Sequence, residues 1–164
     1  MISDACEFSD AVAFLGALLL DGNVYYFATL MWEECPQRDG DEEVYRPEGR
    51  MSLYGNWQHL KARLEEEGMA VEEGVFDIID VDRARDLADL LMSTEDEIEV
   101  VLEAWNGFED VLPAMGLPFE FRGTLANRAY DKLYWSMNYP REIAGDQHYT
   151  PQWRPKEVRK IRQL

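Results

Sequence analysis

Three carboxylates, Asp77, Asp80 and Asp82, are the residues best spaced to do chemistry. They stand at the end of Val75-Phe76-Asp77-Ile78-Ile79, a run whose residue types predict a short strand. Acids gathered at a strand end can hold Mg²⁺ for phosphoryl chemistry, because a hard cation takes oxygen ligands around an open position. A metal-dependent hydrolase is therefore one reading. The spacing matches no specific motif, and Asp80 or Asp82 also suits the N-cap of a following helix, where a carboxylate satisfies free backbone N–H groups. Capping is the stronger expectation, so no metal and no cofactor is expected.

Nucleophilic chemistry finds less support. The histidines are His59 and His148 and the cysteines Cys6 and Cys35, and no spacing brings either histidine to a thiol or a serine. The cysteines lack a CxxC arrangement, which leaves neither a zinc site nor a disulfide framework. Phosphate-loop, dinucleotide and nucleophile-elbow signatures are all missing. The stretch Asp39-Gly40-Asp41-Glu42-Glu43 resembles a calcium loop only in composition, since Val44 stands where an EF-hand needs glycine. No catalytic residue is assigned, and the protein is not expected to be an enzyme.

Charge is the more informative signal. Among 164 residues, 33 acids face 16 bases, for a net charge of −17. Residues 1–121 hold 29 of the acids and 7 of the bases, whereas residues 122–164 hold 4 acids and 9 bases. An acidic surface of this kind repels nucleic acid and anionic membranes and favours cationic partners. Three groupings remain after capping. Glu65, Glu66 and Glu67 close a helix at its C-terminus, where the backbone already carries partial negative charge. Glu95, Glu99 and Glu103 recur at i, i+4 and i+8, where like charges repel by about a few tenths of a kcal/mol. Asp86 and Asp89 add to them, softened by Arg83 and Arg85.

These acids predict a surface that docks on a basic protein and inhibits it without turnover. The partner would be a toxin neutralised by its immunity protein or antitoxin. Otherwise it would be a nucleic-acid-binding protein, perceiving the acids as a DNA mimic, as in phage anti-defence. The basic tail, with Lys156, Arg159, Lys160 and Arg162 around Val158, Ile161 and Leu164, is expected to dock its apolar stripe on the acidic body. Contact with a second copy, giving a homo-oligomer, is the alternative. An exposed patch at Tyr139, Tyr149 and Trp153 would instead favour a structural subunit.

The elements that must position these residues read as α+β: a mostly helical single domain with a small β-sheet and a short basic C-terminal helix. The acidic part spans 1–150 and the tail 151–164. Ser9 and Asp10 can cap a helix running to Leu20; a hairpin about Asp21-Gly22 is the rival. Val24–Trp32 reads as a strand and Glu33–Arg50 as a loop. Leu53, Trp57, Leu60 and Leu64 predict a helix from Ser52, stopped at Gly68. Asp82 opens one carrying Leu87, Leu90 and Leu91. Thr94-x-x-Glu97 is a capping box, followed by the stripe Ile98, Val101, Leu102, Trp105, Phe108, Leu112 and Met115. This register predicts Glu95, Glu99 and Glu103 exposed and Ile98, Leu102 and Trp105 buried. Thr124 begins a helix with Ala126, Ala129, Tyr130, Leu133 and Met137 inward, ended by Pro140, and Pro155 starts the last. The apolar run Ala11–Leu20 is too short to cross a bilayer and follows Asp4, Glu7 and Asp10 rather than Lys or Arg. Cytoplasm is the expected location.

Overall fold

A computed structural model describes residues 10–32, 42–89, 92–138 and 149–163. Cys6, Cys35, Asp39 to Asp41, Leu90, Leu91, Tyr139, Pro140, His148 and Leu164, on which several expectations fell, lie outside the described residues. The fold is α+β, a small sheet with a larger helical part. Its contacts divide it into two compact units: residues 1–79 with 113–117, and residues 80–112 with 118–164.

The first unit is built on a hairpin. Strand β1 (Val12–Leu20) pairs antiparallel with β2 (Asn23–Met31), from Val12 opposite Met31 to Leu20 opposite Asn23. The helix expected over residues 10–20 is therefore corrected to a strand, and the rival hairpin is the one formed. Asp21 (φ 51°) and Gly22 (φ 72°) both occupy the left-handed region, as a primed two-residue turn requires. The run misleads because Ala13, Leu15, Gly16, Ala17 and Leu18 are all buried, so no polar alternation marks it as a strand.

The expected loop 33–50 contains strand β3 (Glu42–Val44), paired with the end of β2. Three residues, two of them acidic, gave no strand signal. Helix α1 (Trp57–Glu66) begins later than expected. Asn56 is its N-cap, its Oδ1 accepting from Gln58 N–H at 2.8 Å, while Tyr54 exchanges backbone hydrogen bonds with Tyr26 at 2.8 and 2.9 Å. Leu53 thus precedes the helix, and Trp57 at its first turn is 40% exposed rather than inward. Leu60 and Leu64 of α1 cover Ala13, Leu15, Ala28, Leu30 and Trp32, with Tyr45 and Met69 closing the cluster. Strand β4 (Ala70–Asp80) is longer than expected and lies beside β1, giving the order β3-β2-β1-β4.

The second unit holds α2 (Val81–Asp89), most of α3 (Glu95–Ala114), α4 (Thr124–Asn138) and α5 (Pro155–Ile161). Asp80, not Asp82, caps α2, accepting from Arg83 N–H at 2.9 Å. The capping box forms as read: Glu97 N–H donates to Thr94 Oγ1 at 3.3 Å, and Ser93 and Thr94 N–H donate to Glu97 Oε2 at 2.9 and 3.1 Å. Those donors hold the Glu97 carboxyl below its ordinary pKa. Behind it Ile98, Val101, Leu102 and Trp105 are buried, together with Ala126, Ala129 and Leu133 of α4. Trp105 meets Phe121 edge-on with ring centroids 5.5 Å apart.

Gly16 lies where the sheet tolerates no side chain: a Cβ there would overlap the Phe27 ring, which is itself buried. Gly16→Ala is expected to lower the urea-unfolding free energy by about 1–3 kcal/mol, and Phe27→Leu to recover part of that loss in the double variant. Two losses that simply add would show that the two residues do not collide.

Candidate protein-binding surface

Helix α3 carries the longest ordered series of carboxylates. Glu95, Glu99 and Glu103 are exposed, and Asp110, unnoticed in the sequence, continues the same face. At 3.6 residues per turn, positions 95, 99, 103, 106 and 110 fall within about 80° of one another, and Glu95 lies about 22 Å from Asp110 along the axis. The continuing spacing past Glu103 was the signal that could have found it. Glu95, with Asp96 and Glu97, is in the first turn, where the helix dipole favours negative charge. Glu99, Glu103 and Asp110 lie beyond that benefit. Partial burial, and then Glu109, push the Asp110 carboxyl above its ordinary pKa.

Asn106, on the same face, ties this row to α4. Its Oδ1 accepts from the Tyr130 hydroxyl at 3.1 Å. Tyr130 stacks on Tyr134 at 6.2 Å, and Tyr134 meets Trp135 edge-on at 5.5 Å. Tyr134 and Trp135 are 41% and 44% exposed. An acidic row bordered by exposed aromatic rings can attract a cation and hold it by cation–π and apolar contact. The exposed aromatics were expected elsewhere. Trp153 is half-buried, its indole N–H donating to Met92 O at 2.9 Å, and Tyr149 is half-buried too. Positions 134 and 135 fall outside the inward stripe of α4, which is how the sequence could have revealed them.

Glu65, Glu66 and Glu67, in the first unit, are exposed but unequal. Lys61 pairs with Glu65 at 3.8 Å and Arg63 with Glu67 at 2.7 Å, each one turn back. Two bases therefore offset part of the negative charge that the three acids add to this helix end. Glu67 also accepts from the buried Tyr45 hydroxyl at 2.7 Å. Burial, then that bond, pushes the Tyr45 pKa up to about 12. Glu67 thus helps hold α1 to the chain before it.

On α2, Asp86 is exposed and Arg85 pairs with Asp82. The Asp89 side chain lies outside the described residues. Of the three acids weighed for a metal, Asp77 is exposed on β4, Asp80 caps α2 and Asp82 is held by Arg85. Among the described residues no three His, Cys, Asp or Glu side chains cluster as a metal site. His59 is exposed on α1.

The tail belongs to the second unit. Val158 and Ile161 of α5 are buried, and α5 packs on α4 and α2. Glu157, an acid overlooked within the basic helix, is only 2% exposed. Lys132 Nζ donates to its Oε2 at 2.6 Å, and Arg154 N–H to the same oxygen at 2.8 Å. Burial alone would raise the Glu157 pKa; these two donors outweigh it and hold the carboxyl below its ordinary value of 4.5. Arg162 Nε donates to Ala88 O at 3.0 Å, and Lys160 sits 4.3 Å over the Phe121 ring.

Two outcomes follow. Asp80→Ala should cost about 1 kcal/mol of stability and Asp80→Asn much less, because asparagine caps equally well. Micromolar Mn²⁺ binding in calorimetry that Asp80→Asn abolishes would instead favour the hydrolase reading. Glu157→Gln should cost about 1–3 kcal/mol near neutral pH, since a charged hydrogen bond becomes a neutral one. A depressed folded pKa contributes stability that is complete above the ordinary value and lost as pH falls through the folded value. Chemical denaturation from pH 7 to pH 3 should therefore show the gap between wild type and Glu157→Gln closing in acid; a constant gap would show that the ion pair contributes nothing.

No family model, curated protein or solved structure matches this chain, so the meaning of its acidic faces follows from their own geometry and charge.

Proposed function

We propose that the protein binds a basic protein and neutralises it by covering its cationic surface, with no chemical turnover. The observation that carries this is the α3 face of Glu95, Glu99, Glu103 and Asp110 bordered by exposed Tyr134. Carboxylates speed encounter with a cationic patch, while a buried aromatic anchor slows dissociation. The net charge of −17 extends that attraction over the whole molecule and opposes direct contact with nucleic acid.

A partner that works on nucleic acid would offer a phosphate-binding surface for the acids to fill, which is inhibition by a DNA mimic. A basic toxin would be held off its target in the same way, as an immunity protein or antitoxin does. On this reading the protein acts in the cytoplasm; no helix among the described residues is long and apolar enough to cross a membrane, which agrees with it.

The test compares wild type with the variant carrying Glu95→Lys, Glu99→Lys and Glu103→Lys. A partner captured from the source cell and eluted by a salt gradient is purified, and its association with each form is timed. Wild type should associate at least about tenfold faster at low salt, and the difference should shrink as the screening length falls from about 10 Å at 0.1 M to about 3 Å at 1 M. The three side chains lie outside the core, so the fold should persist, with a loss of about 1 kcal/mol from reversing the Glu95 charge in the first turn of α3. Equal rates that ignore salt would mean that the acids only keep the protein dispersed.

A further inference from the structure

The strand order leaves β4 at one edge of the sheet, and no strand among the described residues pairs with its far side. Such an edge presents a row of backbone N–H and C=O groups to any chain that can align with it. Natural edges are commonly short, yet β4 runs for 11 residues, and Glu72 through Ile78 are all exposed. Gly74, at φ 116°, breaks the regular extension, and Val75–Asp80 is the stretch that follows it.

Side chains alternate across that stretch. Phe76 and Ile78 share one face, where Phe76 meets Phe14 of β1 edge-on at 5.3 Å; they are 51% and 54% exposed. Asp77 stands on the other face beside Val75. Over Ala70–Asp80 there are four acids, Glu72, Glu73, Asp77 and Asp80, and no base. A second copy of β4 would set these acids against their own kind, which disfavours pairing. A strand carrying Lys or Arg opposite Asp77 and an apolar residue beside Phe76 and Ile78 meets both faces.

We propose that the open edge of β4, Val75–Asp80, takes in an extended segment of a basic partner protein as a fifth strand, with basic and apolar side chains alternating along it. This rests on the reading of the protein as a binder of basic proteins and adds a mode of binding to it. Backbone hydrogen bonds would supply much of the affinity, and the two faces of the edge the selectivity.

The probe is an eight-residue peptide of alternating lysine and valine, added to the whole chain while amide hydrogen exchange is followed residue by residue. A lysine–proline peptide keeps the charge but lacks half the backbone donors; a glutamate–valine peptide keeps the strand-forming pattern but reverses the charge. The lysine–valine peptide should slow exchange at β4 amides by roughly tenfold or more, and neither control should do so. The exposed-site variant Phe76→Lys with Ile78→Lys should fold normally by urea titration and bind the peptide about tenfold more weakly. Equal binding of the lysine–valine and lysine–proline peptides, without protection of β4, would overturn the edge proposal and leave the acidic-surface reading standing. Protection of β4 that grows with protein concentration alone would overturn it in favour of a second copy. Failure of both lysine peptides to bind at low salt would end both readings together.

Discussion

With only Asp21 and Gly22 between them, β1 and β2 have one register open to them, and nine consecutive residue pairs follow from it. That register faces Ala13, Leu15, Ala28 and Leu30 to Leu60 and Leu64 of α1. A slip of one residue would turn this whole set to the opposite side of the sheet. The same register brings Gly16 opposite Phe27, where the missing Cβ lets the ring lie over the neighbouring strand. It also decides what remains unpaired. The outer side of β2 is met by three residues of β3 and by Tyr54, and β1 gives its other side to β4, so the long strand becomes the edge.

Local rules that involve a few neighbouring residues were legible in the sequence. The Thr94–Glu97 box, the Ile98-to-Trp105 stripe, the start of α4 at Thr124 and of α5 at Pro155 all depend on spacing within one helix. The α+β class was legible for the same reason. Strands β2 and the later half of β4 were legible too, from their aromatic and β-branched residues, but β1 and β3, whose identity depends on distant pairing, were not. Val12–Leu20 is rich in good helix formers and becomes a strand because β2 and β4 flank it, and Glu42–Val44 becomes one only by meeting Thr29–Met31. Side-chain partners across the fold were equally hidden: nothing near Glu157 in the chain points to Lys132, twenty-five residues earlier. On α3 the exposure of Glu95, Glu99 and Glu103 was legible in their i, i+4 spacing. Asp110 resumes that face only after a gap of seven residues, and Tyr134 comes near it only through the contact of Tyr130 with Asn106 between two helices.

The acids divide into those that local structure needs and those that it does not. Glu97, Asp80, Asp82, Glu67 and Glu157 each satisfy a backbone group or hold a cationic partner. Glu95 gains from the helix dipole. None of these reasons reaches Glu99, Glu66 or Asp86, whose side chains are exposed, or Asp110, whose carboxyl is partly buried beside Glu109. Exposed ion pairs contribute little to stability, so an excess of acids costs little as long as it stays outside the core. The fold therefore permits the charge imbalance without requiring it. That freedom is why a functional reading rests on where the surplus acids lie and what borders them, more than on their number.

The edge of the sheet concentrates the same question in one strand. Acids on an edge are a common guard against pairing with identical chains, and Glu72, Glu73 and Asp77 fit that role without any partner. A guard alone, however, gives no reason for Phe76 and Ile78 to be about half exposed beside it, since apolar edge residues are what a guard must offset. Repulsion between like strands and attraction for a basic one also arise from one set of charges, so the two roles do not compete. An acidic edge with an apolar face rejects copies of itself and accepts a strand of opposite charge, and that selectivity separates a recognition edge from one that is merely kept apart.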